Sequence, residues 1–114
     1  MKHTVRSALT TAVVSALFAF SGTAAAIDAD AAKALAKKND CGKCHAVDKT
    51  KKGPSYKKIA ENNKGKADVE AKLIKHLKTS PKVKLEDGTE EEHKQIEAKD
   101  DAEIKNLIGW ILAQ

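Results

Sequence analysis

After its first residue the chain contains no methionine, which removes thioether sulfur from the side chains able to serve as metal ligands. Cysteine occurs twice, at Cys41 and Cys44, too few for a framework of several disulfides. Aromatic residues are scarce, and only Tyr56 and Trp110 lie beyond the first 20 residues. The two prolines, Pro54 and Pro81, stand apart, and no internal repeat or low-complexity tract appears, so one domain is sufficient. The apolar run from Ala8 to Phe20 is 13 residues long and too short to span a bilayer comfortably.

That run follows Lys2 and Arg6 and precedes the small residues Thr23 to Ala26, the order of a secretory signal peptide. Residues 1–26 are therefore read as a signal cleaved after Ala26, which directs residues 27–114 to the periplasm as a single domain. At this size a core is thin, and a fold with 32% charged residues gains from an apolar cofactor to wrap around.

Charge is unevenly spread. From Lys33 to Lys84 there are 16 lysines against 5 acids, and from Leu85 to Lys105 there are 3 against 9. The net balance is too small to argue for nucleic acid, but a basic side could steer the molecule towards an acidic partner.

The pattern predicts an all-α chain of four to five short helices. Asp30 caps a helix from Ala31 to Asn39; another follows Gly53-Pro54 with Tyr56, Ile59 and Ala60 inward; a third runs from Ala67 to Thr79 and is closed by Pro81. Thr89 with Glu92 reads as a capping box opening a short helix that carries His93 and Ile96. Asp100 and Glu103 open the last helix, whose Ile104, Leu107, Ile108, Ile111 and Leu112 form an apolar stripe. No segment shows the alternation of a strand.

The stretch "CGKCH", Cys41 to His45, has the spacing of covalent haem attachment: two thiols able to form thioethers, followed by an imidazole able to reach the iron. A Cys41–Cys44 disulfide would leave His45 unexplained. A thioredoxin-type pair expects a βαβ context, and a zinc site expects paired histidines at finger spacing. Haem is the reading that uses all three residues.

With "GPSYKKIA" some ten residues later and "IKNLIGWILAQ" at the end, the chain resembles a class I c-type cytochrome of the small bacterial kind along essentially its whole mature length. The resemblance implies a small cytochrome c fold around one covalently bound haem c per chain. It makes Cys41 and Cys44 the attachment points and His45 the proximal iron ligand. It also implies that the Pro54 carbonyl accepts the second N–H of that imidazole, and that Trp110 contacts the haem near a propionate. Most members of the family place a methionine on the distal face; this chain has none, so the sixth ligand is expected to be His93, with His76, a lysine or an open position as the alternatives.

These expectations describe a periplasmic carrier, not an enzyme. Its bis-histidine iron would have a relatively low potential and pass single electrons between redox proteins. The carrier is expected to be a monomer, not stably inserted in a membrane, with Lys43, Lys51 and Lys52 guiding transient docking. A haem protein that binds or senses gases through an open or labile distal site is the alternative.

Overall fold

The computed structural model describes residues 26–114; the predicted signal segment lies outside the described residues apart from its last residue. Four helices make up most of the regular secondary structure: α1 (Ala29–Lys38), α2 (Tyr56–Asn63), α3 (Val69–Thr79) and α4 (Asp101–Leu112). A 3-10 turn at Cys41–Lys43 follows α1, and strands β1 (Lys82–Lys84) and β2 (Glu90–Glu92) separate α3 from α4. Among the described residues no helix is long and apolar enough to cross a membrane.

The first helix begins two residues before its expected start. Asp28, not Asp30, is the cap, its carboxylate accepting from Ala31 N–H at 3.0 Å. The choice has a tertiary cause: the side chain of Asn106 on α4 bonds both the N–H and the C=O of Asp28, which fixes where the chain enters the helix. At α4 the reading of Asp100 and Glu103 matches the caps observed. Asp100 accepts from Glu103 N–H at 3.1 Å, and Glu103 accepts from Lys99 N–H at 2.7 Å.

The helix expected after Thr89 is absent, and an antiparallel hairpin stands in its place, with Lys82 opposite Glu92, Val83 opposite Glu91 and Lys84 opposite Glu90. Its turn explains the outcome. Asp87 accepts from both the N–H and the hydroxyl of Thr89, at 2.9 and 2.6 Å, so that hydroxyl is engaged in the turn and caps nothing. Gly88 supplies the φ of +86° that the Asp-Gly turn requires, and opposite charges face each other across the strands. The fold is thus a mostly helical one with a small hairpin.

The core lies where α1 crosses α4. Ala32, Leu35 and Ala36 from the first helix meet Leu107 from the last, with Ile96, Ala98, Trp110 and Ile111 packed around them. The two alanines let the helices approach closely, and burial of Leu35 and Leu107 supplies on the order of 1.5 to 3 kcal/mol each. This crossing brings the end of α1, and with it residues 41–45, against the inner face of α4.

Candidate functional site

The cysteine motif is a helical turn whose shape the backbone dictates. Asp40, with φ of 56°, breaks the line of α1, after which Cys44 N–H and His45 N–H both donate to Cys41 C=O at 3.2 and 2.9 Å. Residues three apart eclipse in a turn of this kind, so the two thiols share one face. Both are free and half-buried, and burial pushes the Cys41 thiol above its ordinary range.

The following loop folds back onto the motif. Gly53 N–H donates to Cys44 C=O at 2.8 Å, and Tyr56 N–H donates to Ala46 C=O at 2.9 Å. Within that loop the Pro54 carbonyl lies 2.6 Å from His45 Nδ1, so Nδ1–H donates to it and Nε2 keeps its lone pair. Burial holds His45 below its ordinary pKa; the bond to Pro54 opposes this and the neighbouring His93 reinforces it. The ring is therefore neutral at neutral pH, in the tautomer suited to a metal ligand.

Gly53 is required by that arrangement. A Cβ at this position would lie 2.7 Å from His45 Cε1 and 3.3 Å from Cys44 C=O. Gly53→Ala is expected to displace the imidazole and to destabilise the folded protein by about 1–3 kcal/mol, as overpacking generally does. Chemical denaturation checks this, and an unchanged midpoint would mean that the ring gives way without cost.

Cys41, Cys44 and His45 form one wall of a cavity of about 490 Å³. Leu107, Ile108 and Ile111 of α4 line its back, Leu73 and Leu77 of α3 close one side, and Val83 and Leu85 reach in from the hairpin. His93 and His76 line it as well. The His45 and His93 ring centroids are 6.2 Å apart, and those of His76 and His93 are 4.6 Å apart in an edge-to-face arrangement. Among the described residues no group of three or more His, Cys, Asp or Glu side chains is gathered so as to hold a metal ion.

Tyr56 stacks on His45 with centroids 5.6 Å apart, and Trp110 meets Tyr56 edge-on at 5.3 Å. Burial pushes the Tyr56 phenol up to about 12, which keeps this wall uncharged. Trp110, expected to contact the haem, packs against Tyr56 and the core beside the wall that carries His45. Helical spacing identified the apolar face of α4 but did not separate its front from its back. The expectation that no segment alternates as a strand is corrected here: "KVKL" before "EDG" alternates, and it brings Val83 and Leu85 into the cavity wall.

At the cavity mouth stand Lys43, Lys84 and Lys94 together with Asp40, Glu91 and Glu92. Asp40 pairs with Lys43 and Lys94, each at 3.5 Å, and those two ammonium groups hold its carboxyl below the usual range. Lys51 donates to Gly42 C=O at 2.5 Å, while Lys52 is exposed.

An apolar cavity of this size, with two free thiols and a tautomer-fixed imidazole on one wall, belongs to a helical protein built around a large covalently held cofactor. The family model for Cytochrome c matches residues 29–114, and the chain belongs to that family. It is similar to the class 1 cytochrome MtoD from Sideroxydans lithotrophicus ES-1, a crystal structure with 60% sequence identity and a TM-score of 0.73. That likeness covers 77% of this chain and 97% of the other. No curated protein matches the chain.

The cofactor of the family is haem c, attached covalently, and Cys41, Cys44 and His45 fit its CxxCH motif. The donor set suits it: two accessible thiols on one face, a neutral imidazole beside them and a largely apolar cavity in front. The protein is thus a monohaem c-type cytochrome, a class that carries electrons.

Proposed function

We propose that the chain is an exported, periplasmic electron shuttle whose haem iron is held by His45 on one side and His93 on the other. The observation that supports this most strongly is the 6.2 Å separation of those two rings across the cavity. Two imidazoles sharing one ion hold it with metal–nitrogen bonds of about 2 Å, which with the half-width of each ring brings their centroids about 6 Å apart. The His76 ring lies 4.6 Å from that of His93 and is assigned a place beside the distal ligand.

When bound, haem supplies a one-electron ferric–ferrous couple. The chain's own residues set its conditions. Cys41 and Cys44 tether it, Pro54 orients His45 and raises its donor strength, and His93 Nδ1–H donates to Lys94 C=O at 2.9 Å, which leaves Nε2 as the ligating nitrogen. Leu107, Ile108, Val83 and Leu85 keep water from the faces, with Tyr56 and behind it Trp110 supporting the His45 side. Imidazole on both sides favours ferric iron over ferrous, so the carrier works at relatively low potential. With His45 and His93 both holding the iron, no position would be left for a substrate, which fits a carrier of electrons.

The test is a pair of visible and near-infrared spectra, oxidised and reduced, for the wild type and His93→Ala. The expected result is a low-spin wild type without a methionine-to-iron charge-transfer band and a high-spin variant. A wild type that is already high-spin would favour the gas-binding reading, and an unchanged variant would redirect attention to His76.

Partners are larger redox proteins that the carrier meets transiently as a monomer. Lys43, Lys51 and Lys52 beside the motif and Lys84 and Lys94 at the cavity mouth favour an acidic docking face, while Asp40, Glu91 and Glu92 moderate the field. Electron transfer to such a partner is expected to slow as ionic strength rises, by less than an all-lysine rim would produce. A rate indifferent to salt would remove the lysines from the docking argument.

A further inference from the structure

Two asparagines join distant parts of this backbone by the same device. Asn106 on α4 accepts from Asp28 N–H at 2.9 Å and donates to Asp28 C=O at 2.8 Å, which ties down the start of α1. Asn39 at the end of α1 accepts from Glu97 N–H at 2.8 Å and donates to Glu97 C=O at 3.0 Å, and its Nδ2 donates also to Leu35 C=O at 3.0 Å. Asn39 is 4% exposed, so these bonds are shielded from competition with water.

The positions joined by Asn39 are informative. It stands two residues before Cys41, and Glu97 lies four residues after His93. One buried amide therefore links the flank of the attachment motif to the loop that carries the distal imidazole. Besides the exposed Lys94–Asp40 ion pair at 3.5 Å, that loop is fixed by His93 N–H donating to Pro81 C=O and Ile96 N–H donating to Leu77 C=O, both at 2.8 Å. The His93 ring itself bonds only to Lys94, its own neighbour, so its place in the cavity is inherited from the backbone.

We propose that Asn39 is a positioning residue for the distal ligand. By clasping Glu97 it holds residues 93–97 against the end of α1 and keeps His93 opposite His45. The proposal rests on the reading of His93 as an axial ligand. Loss of the clasp leaves the N–H and C=O of Glu97 without their buried partners, which favours displaced forms of the loop and raises the fraction of time that His93 is away from the iron.

The experiment is carbon monoxide binding to the ferrous holoprotein, compared among wild type, Asn39→Ala, Asn106→Ala and His93→Ala. Departure of the distal imidazole limits this rate. Asn39→Ala is expected to bind about tenfold faster than wild type, the scale of losing one buried amide's bonds. Asn106→Ala, which loses the same chemistry at the far end of α1, stays within about twofold of wild type. His93→Ala is the fastest.

If His93→Ala is fast while Asn39→Ala matches wild type, the clasp has no part in positioning and the proposal fails with the ligand assignment intact. Equal acceleration by Asn39→Ala and Asn106→Ala also overturns it, because the effect is then a general loosening of α1. If His93→Ala binds no faster than wild type, the ligand assignment and the proposal fall together. Should Asn39→Ala not fold, Asn39→Ser serves in its place. Its short hydroxyl cannot bridge the N–H and C=O of Glu97 together, so an acceleration in the same direction is expected; a wild-type rate there counts against the proposal.

Discussion

His93→Met is expected to raise the midpoint potential by on the order of a tenth of a volt or more, within the about 0.8 V range over which axial ligands set haem potentials. The substitution supplies the methionine thioether that this chain lacks after residue 1. Thioether is a weaker donor than imidazole and stabilises ferrous iron, so the direction follows from ligand chemistry alone. The backbone is prepared for it: His93 N–H is held by Pro81 C=O at 2.8 Å, and the clasp at Glu97 fixes the loop four residues on. The unbranched methionine side chain has the torsional freedom to find the position the ring leaves. Potentiometric titration measures the shift, and a methionine-to-iron band in the near infrared reports that sulfur has reached the metal. A variant with the wild-type potential and no such band would show that residue 93 does not meet the iron, whatever its distance from His45.

Residues 41–45 were legible in the sequence because their chemistry is local. Two thiols and an imidazole at this spacing need only a tight turn, and Asp40 and Cys41 build it from backbone bonds within five residues. The caps of α4 were legible for the same reason, since Asp100 and Glu103 act within one turn. Thr89 was misread because "TEEE" suits a capping box as well as a strand, and the contest was settled by Asp87, which takes the threonine hydroxyl into the turn. His93 was singled out because the chain offers no methionine for the distal face, but its setting at the end of a strand was not foreseen. Asn39 carried no signal at all. Its partner is 58 residues away, and an asparagine after a helix ordinarily reads as nothing more than a cap.

Leu107→Ala is expected to lower the stability of the holoprotein by about 2–5 kcal/mol, the range found for leucine truncation in cores, at one of the most deeply buried positions in the chain. Leu107 is 1% exposed at the crossing of α1 and α4, where its neighbours Ala32 and Ala36 have only methyl groups to offer. Such small side chains cannot swing into the space left behind. The helices cannot close on it either, because Asn106 and Asn39 pin α1 at both ends. The void therefore persists and opens onto the cofactor cavity, which the same leucine lines. Leu112 provides the comparison: it is only half-buried near the end of α4, and Leu112→Ala is expected to cost distinctly less. Denaturant unfolding of both variants decides the matter, with a lower midpoint and an unchanged slope as the signature of lost packing. The thioether links keep the cofactor on the chain in folded and unfolded states alike, so the difference reports side-chain packing and not cofactor release. Equal losses at Leu107 and Leu112 would mean that the haem, more than the α1–α4 contact, holds this small domain together.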